Sequence, residues 1–200
     1  MNKLLFLPID IDVSHLKFPN LSNINSNIMG ASFWDYEQLL TSDSPIAYPW
    51  KLGLDSIRDD YKQLICKLPF NSLENVRLSI QSKIVKPHID ISHETKNLSL
   101  ENYQNYLENE PCGYRIVIFG SKSSLKLIQP GKIISTELPE VPCMYLINST
   151  TCYHFIDGDI GRKTVYIRGT VHPEEHKKLI YKSLKKFYDY AIFQDWNDKK

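Results

Sequence analysis

Between residues 76 and 171 the chain is divided into short runs of β-branched and aromatic residues, with turn residues between them. Eight of these runs have the length of a strand: Val76–Gln81, Ile84–Ile91, Tyr114–Phe119, Leu125–Ile128, Ile133–Glu137, Met144–Ile147, Thr151–Ile156 and Lys163–Val171. Many short strands joined by tight turns favour two sheets packed face to face. The sequence therefore predicts a mainly β fold, a double-stranded β-helix (a cupin-like jelly roll) with flanking helices.

Helical patterns flank this β-rich region on both sides. Before it, apolar residues recur at helical spacing from Leu54 to Leu68, until Pro69 interrupts the pattern. After it, the segment that follows Pro173 carries an apolar stripe opposite a row of lysines. Near the start of the chain, Leu4 to Val13 alternates well enough to be a strand.

A chain of 200 residues is most simply one domain. We expect a single domain over residues 1–200, in which three regions follow one another. They are an N-terminal strand and helix region (1–75), a jelly-roll core (76–171) and a C-terminal helix (172–200).

Charge and cysteine usage exclude several classes of partner. The formal net charge is +1, with acidic and basic residues interleaved, so the chain has no electrostatic footprint for nucleic acid or an anionic membrane. Nowhere do ~18 consecutive apolar residues occur, and a spanning helix is not expected. The four cysteines form no CxxC pair and no closely spaced framework. We expect a cytoplasmic protein with neither nucleic acid nor membrane as a partner.

The segment Lys86-Pro87-His88-Ile89-Asp90 is the clearest candidate for chemistry. In an extended chain, His88 and Asp90 lie on the same face. His154, which follows several strand-like runs later, supplies a third side chain that can bind a metal. Two imidazoles and one carboxylate on one side of an ion are the ligands of non-haem Fe(II) oxygenases. Most His-x-Asp tripeptides are polar residues on the protein surface that bind no metal.

Three other histidines compete for a role at the metal: His93, His172 and His176. An offset of five residues from His88 turns His93 to the opposite face of a straight strand. His172 and His176 stand at the start of the C-terminal helical pattern. These positions count against His93, His172 and His176 as ligands, and the choice of His88, Asp90 and His154 rests on the resemblance described below.

The last strand-like run is cationic on one face. At period two, Arg162 and Arg168 share that face with Thr164, Tyr166 and Thr170. A guanidinium there could bind a carboxylate with two hydrogen bonds. Periodicity does not choose between the two arginines.

Together these segments resemble the aspartyl/asparaginyl β-hydroxylase family of Fe(II)- and 2-oxoglutarate-dependent oxygenases. The resemblance covers roughly residues 76 to 173. The segments that carry it are Val76-Arg77-Leu78, Lys86-Pro87-His88-Ile89-Asp90, Gly113-Tyr114-Arg115-Ile116-Val117-Ile118, Pro130-Gly131, Cys152-Tyr153-His154, Arg162 and His172-Pro173. One departure is Val117, which stands at a position that is often histidine in the family.

The resemblance implies a catalytic centre in which His88, Asp90 and His154 hold Fe(II). It favours Arg162 over Arg168 as the residue that binds the distal carboxylate of 2-oxoglutarate, with Arg115 as a second anionic contact to cosubstrate or substrate. It implies that O2 and 2-oxoglutarate are consumed, that succinate and carbon dioxide are released, and that a substrate carbon is hydroxylated.

The resemblance also bears on the substrate, since small family members with the His-x-Asp form act on free amino acids. We expect hydroxylation of an unactivated carbon in a free or carrier-linked amino acid, whose carboxylate Arg77 or Arg115 would bind, in a pocket that Trp34 helps to shape. The plainer roles are a structural ion pair for either arginine and a core position for Trp34.

Three other functions remain open. The first is a peptidyl Asp or Asn β-hydroxylase, which acts on a short peptide. The second is a cupin-like metal-binding protein or isomerase that uses the same fold and metal without 2-oxoglutarate, and that has no need for Arg162. The third is a non-catalytic member that keeps the pocket for binding alone.

Overall fold

The computed structural model describes residues 4–18, 46–50, 58–81, 85–88, 112–149 and 152–194. Within these ranges the fold is mainly β, with two antiparallel sheets and a small number of helices. The strands are β1 (Leu4–Pro8), β2 (Ile46–Trp50), β3 (Phe70–Ile80), β4 (Val85–His88), β5 (Cys112–Phe119), β6 (Leu125–Gln129), β7 (Lys132–Ser135), β8 (Cys143–Ile147), β9 (Tyr153–Ile156), β10 (Lys163–Val171) and β11 (Ile192–Phe193).

The larger sheet has seven strands in the order β11-β1-β8-β5-β10-β3-β2, and the smaller has four in the order β4-β9-β6-β7. All neighbouring strands pair in antiparallel fashion. Strands that are distant in sequence lie side by side, as β5 does between β8 and β10. This topology brings the two ends of the described chain into one sheet.

One face of the seven-stranded sheet is covered by helices. These are α1 (Asp59–Ile65) and α2 (Pro173–Phe187), and a single 3-10 turn (Tyr188–Tyr190) follows α2. Buried residues of α1 share one apolar cluster with strand residues such as Ile116 and Ile167, and the apolar stripe of α2 packs against the same cluster. Burial of this amphipathic stripe provides most of what stabilises a helix of this length.

Polar contacts fix α2 against the chain just after β1. The side chain of Ser183 accepts a hydrogen bond from the backbone N–H of Asp10 at 3.0 Å. The Asp10 carboxylate pairs with Lys186 at 2.6 Å and with Lys182 at 3.0 Å. The hydrogen bond from Lys186 is the main reason that the pKa of Asp10 lies below its usual value. The lysine row of α2 is thus partly engaged in docking this helix.

A second apolar cluster lies between the two sheets. It joins Val117 and Tyr145 of the larger sheet to Leu127 and Ile156 of the smaller one. Because side chains alternate along a strand, a residue two positions before or after one of these four also faces the layer between the sheets. The face that each sheet turns toward the other is called the inner face below.

The sequence-based strand limits are wrong in several places. β1 ends at Pro8, whereas the alternation predicted a strand to Val13. β3 begins at Phe70 and not at Val76, because its polar first residues pair with the end of β10. Neither β2 nor β11 was predicted: each is short, and β2 contains Pro49, which an edge strand tolerates.

The predicted helices have a partial counterpart in the structure. α1 starts at Asp59, and residues 51–57, which include part of the predicted helix, lie outside the described residues. α2 begins directly at Pro173, as the sequence pattern predicts, and proline is well suited to the first helical position. Among the helices that the structure describes, none has the length and apolar character needed to cross a membrane.

Candidate metal and anion site

His88 and His154 lie opposite each other on neighbouring strands. They are register partners on β4 and β9, and the centroids of their rings are 4.4 Å apart with an angle of 48° between the ring planes. In the same register row, His154 pairs with Leu127, which is fully buried between the sheets. Paired residues in an antiparallel sheet point to the same face. Both imidazoles therefore lie on the inner face.

The alternation of β9 explains why His154 points inward. His154 and Ile156 are buried, whereas Tyr153 between Cys152 and His154 is 53% exposed. Nδ1 of His154 is 3.2 Å from the backbone carbonyl oxygen of Cys152. A carbonyl oxygen only accepts hydrogen bonds, so this contact places the proton on Nδ1. Nε2 then carries the lone pair, which is the form in which histidine binds a metal.

The ring spacing of the histidine pair is compatible with two ligands of one ion. Two imidazoles in adjacent positions, each with its nitrogen about 2.1 Å from the metal, have ring centres roughly 4.5 Å apart. The observed separation of 4.4 Å agrees with this arrangement. His88 and His154 thus fit a metal ion in both spacing and, for His154, tautomer.

The third expected ligand, Asp90, lies outside the described residues, which end at His88 in this segment and resume at 112. Among the residues described, no group of three or more histidine, cysteine, aspartate or glutamate side chains could hold a metal ion. The structure therefore brings two of the three expected ligands together, and the role of Asp90 stays a prediction. His93 also lies outside the described ranges.

Arg162 is buried immediately before β10. Only 6% of its surface is exposed. Its backbone is held by Gln81, whose N–H donates to the Arg162 carbonyl oxygen at 2.9 Å. Its Nη2 donates to the hydroxyl of Tyr145 at 3.3 Å, while Nε, also buried, makes no hydrogen bond. A buried guanidinium with long or missing hydrogen bonds is costly, and an anion would relieve that cost.

Among the residues that the structure describes, Asp159 forms an ion pair with Arg162. Its Oδ2 is 3.5 Å from Nε of Arg162, which is an ion-pair distance but too long for a good hydrogen bond. The two residues belong to one turn, closed by a hydrogen bond of 3.1 Å from the Arg162 N–H to the Asp159 carbonyl oxygen. This pairing keeps the guanidinium at a fixed end of the inner face.

Tyr145 links Arg162 to the expected second cation, Arg115. Arg115 is the register partner of Tyr145 on β5 and β8, and of Tyr166 on β5 and β10. Its guanidinium carbon lies 5.0 Å from the centroid of the Tyr166 ring. Tyr145 and Val117 belong to the cluster between the sheets, so Arg115, two residues from Val117, faces the same layer. One row of the larger sheet therefore carries tyrosine and arginine side by side.

The other candidate residues are placed less fully. Arg77 is the register partner of Tyr166 on β3 and β10, which assigns it to the same row as Arg115. Trp34 lies outside the described residues. Arg168 pairs in register with Gly113, farther along β10 than Arg162.

The competing histidines of α2 are not part of this site. His172 is exposed at the N-terminus of the helix. Nδ1 of His176 and the hydroxyl of Tyr114 share a hydrogen bond of 2.7 Å in the layer between the larger sheet and the helices. Burial lowers the pKa of His176 and so favours the neutral ring.

Sequence reasoning missed Tyr145 and Asp159. Tyr145 was one residue of an apolar run, and only the three-dimensional structure shows that its hydroxyl bonds to Arg162 and that it pairs in register with Arg115. Asp159 has a local signal: it stands in the Asp157-Gly158-Asp159-Ile160-Gly161 turn, three residues before Arg162. An acidic residue three positions before a buried arginine can reach it across a turn.

Comparisons with models of protein families, with curated proteins and with solved structures found no match.

Proposed function

We propose that this chain is an Fe(II)- and 2-oxoglutarate-dependent dioxygenase of the aspartyl/asparaginyl β-hydroxylase type, folded as a double-stranded β-helix. The proposal is carried by one arrangement of side chains. The rings of His88 and His154 lie 4.4 Å apart in register on the inner face. Arg162 is buried and donates a hydrogen bond to Tyr145, which belongs to the layer between the sheets. A metal site alone needs the first feature, whereas a dicarboxylate cosubstrate also needs the second.

In this proposal His88 and His154 bind Fe(II) through neutral imidazoles, with Asp90 as the third ligand. When bound, such an ion supplies open positions at which 2-oxoglutarate and O2 react, giving succinate, carbon dioxide and a hydroxylated substrate carbon. The chain's own residues bind and orient the reactants. Arg162 binds the distal carboxylate, with the Tyr145 hydroxyl holding Nη2 in place.

Arg115 would provide a further anionic contact. It lies in the register row of Tyr145 and stacks on the ring of Tyr166. A guanidinium presents planar N–H donors whose geometry matches the oxygens of a carboxylate. Arg77 shares this row, so a substrate carboxylate could be bound from the same wall.

We propose a free or carrier-linked amino acid as the substrate. Two features support this choice: Arg77 and Arg115 both pair in register with Tyr166, and the His-x-Asp form resembles that of small-molecule hydroxylases. The enzyme would then act without a nucleic-acid partner, in the cytoplasm. Trp34, as a wall of the pocket, is part of the same proposal.

A panel assay tests this function. Purified protein is mixed with Fe(II), ascorbate and 2-oxoglutarate. Each amino acid, and each of a set of Asp- or Asn-containing peptides, is added to this mixture in a separate reaction. Succinate release is measured together with a mass gain of one oxygen in the substrate. The expected result is coupled turnover with at least one amino acid, abolished in His154→Ala.

Other results assign other functions. Turnover with peptides alone would make the protein a peptidyl hydroxylase. If the protein binds a metal ion but no 2-oxoglutarate, the proposal is contradicted. This result would favour a cupin-like metal-binding protein or isomerase. Loss of turnover in Tyr153→Phe as complete as in His154→Ala would show that the assay reports folding of β9 and not ligation, because the Tyr153 side chain is exposed on the outer face.

A further inference from the structure

The carboxylate of Asp159 is held near Arg162 without closing on it. Both of its oxygens accept hydrogen bonds from the backbone N–H of Ser121, at 3.1 and 3.0 Å. Its Oδ2 remains 3.5 Å from Nε of Arg162. The anchor at Ser121 therefore fixes a negative charge beside the guanidinium.

The backbone around this pair is shaped to permit the arrangement. Asp159 has a φ of 58°, a left-handed conformation that few residues other than glycine, asparagine and aspartate adopt readily. Gly120, at a φ of 141°, leaves space for the pair. A Cβ on Gly120 would lie 2.8 Å from Cγ of Arg162 and 2.8 Å from Oδ2 of Asp159. The unusual backbone conformations of Asp159 and Gly120 thus both accommodate this ion pair. Its side chains are 6% exposed at Arg162 and 12% exposed at Asp159.

A fixed charge at this distance affects which anions Arg162 accepts. With Asp159 in place, the buried pair has no net charge, so a ligand end that carries one negative charge is attracted by the guanidinium and repelled by the carboxylate. Doubling the charge on the ligand end doubles its repulsion from the Asp159 carboxylate. Compared with the same site without this carboxylate, Asp159 therefore weakens the binding of a doubly charged end more than that of a singly charged end.

We propose that Asp159 is a specificity-determining residue, which makes the Arg162 site select a singly charged carboxylate end over a doubly charged phosphoryl-like end. The inference rests on the proposed function, in which Arg162 binds the distal carboxylate of 2-oxoglutarate. Asp159 does not bind the ligand itself. It sets the electrostatic potential and the orientation of the residue that does.

Competition binding tests the inference. Dissociation constants of 2-oxoglutarate and of 2-oxo-4-phosphonobutanoate, its analogue with a phosphonate in place of the distal carboxylate, are measured at about pH 8 on anaerobic Fe(II)-loaded protein. The preference is the ratio of the two constants. We expect Asp159→Asn to lower the preference for 2-oxoglutarate roughly tenfold. Asparagine tolerates the backbone conformation of Asp159, and Asp159→Gly, suited to it even better, should act in the same direction.

The matched control is Asp157→Asn, which neutralises an exposed carboxylate two residues away and should leave the preference unchanged. A purely structural role for Asp159 predicts that both affinities fall by the same factor. An unchanged preference in folded Asp159→Asn and Asp159→Gly would therefore overturn this inference and leave the proposed function standing. If the wild-type protein binds no 2-oxoglutarate, the proposed function fails and the inference fails with it.

Discussion

His88 and His154 are directly opposed on β4 and β9, in the register row that continues to Leu127 in the core between the sheets. This pairing converts a separation of 66 residues, 154 minus 88, into a ring-to-ring distance of 4.4 Å. Because the row faces the inner layer, both imidazoles point between the sheets, where His154 is buried. The candidate metal site thus depends on strand register.

Arg162 should control the affinity for 2-oxoglutarate. Removing the charged partner of a buried carboxylate costs on the order of 2–5 kcal/mol, so Arg162→Ala should raise the dissociation constant at least roughly thirtyfold. Arg168→Ala, six residues along on the same strand side, is the control and should change it much less. Equilibrium binding to anaerobic Fe(II)-loaded protein measures both, and the reverse ranking would transfer the role to Arg168.

Tyr145→Phe should weaken 2-oxoglutarate binding in a protein that still folds. The substitution removes only the hydroxyl that accepts the hydrogen bond from Arg162, and the ring stays in the core between the sheets. A hydrogen bond of this kind is worth about 1–2 kcal/mol, which corresponds to roughly a tenfold loss of affinity. Tyr153→Phe, which changes an exposed hydroxyl, should have no effect. Equal affinity in wild type and Tyr145→Phe would show that the hydroxyl does not position Arg162.

Two glycines of the larger sheet should respond differently to alanine. A Cβ on Gly113 would collide with the ring of Tyr166, whereas a Cβ on Gly169 would collide with the backbone carbonyl oxygen of Ser72. A side chain can rotate away, but a paired backbone cannot. We expect Gly113→Ala to cost about 1–3 kcal/mol in the free energy of unfolding and Gly169→Ala to cost more. Denaturant titration gives the ranking, and a greater loss in Gly113→Ala would contradict the structure of this sheet.

The stability of the protein should fall on mild acidification, in part through His176. The pKa of His176 is lowered by burial, so the unfolded chain, with an ordinary pKa of 6.5, binds more protons than the folded one. The free energy of unfolding therefore decreases as pH falls through about 6.5 toward the lower folded pKa. The decrease between about pH 7.5 and 5.5 should be smaller in His176→Gln than in wild type.

His172→Gln is the control for this pH dependence, since His172 is exposed at the start of the same helix. Its decrease in stability should equal that of the wild type. A decrease that is the same in His176→Gln and wild type would show that His176 does not exchange a proton on folding.

The sequence predicts those features that depend on local pattern. The inward direction of His154 follows from alternation along β9, and the start of α2 follows from Pro173 and the apolar stripe behind it. The mainly β character follows from the succession of short β-rich runs. Local patterns do not show how these runs are divided between two sheets, nor that His88 pairs in register with His154. Both features depend on pairing between strands that are distant in sequence.

The polar partners of Arg162 illustrate the same limit. Tyr145 lies in an apolar run, so burial is predictable for its ring, but its hydrogen bond with Arg162 joins β8 to the turn before β10 and depends on the order of the strands in the sheet. The first residues of β3 have a polar, turn-like sequence, and their strand conformation is imposed by pairing with β10. The assignment of Asp90 as a ligand remains a prediction.

Anaerobic absorption spectroscopy tests the central claim most directly. Wild-type protein should take up about one Fe(II), and addition of 2-oxoglutarate should produce the visible charge-transfer band of a chelated complex, because only an ion with open positions binds the oxo acid through two atoms. His88→Ala and His154→Ala should each abolish the band, while the exposed control His172→Ala should keep it. A band that persists unchanged in both His88→Ala and His154→Ala would contradict the account, since the pair would then be simple ring packing.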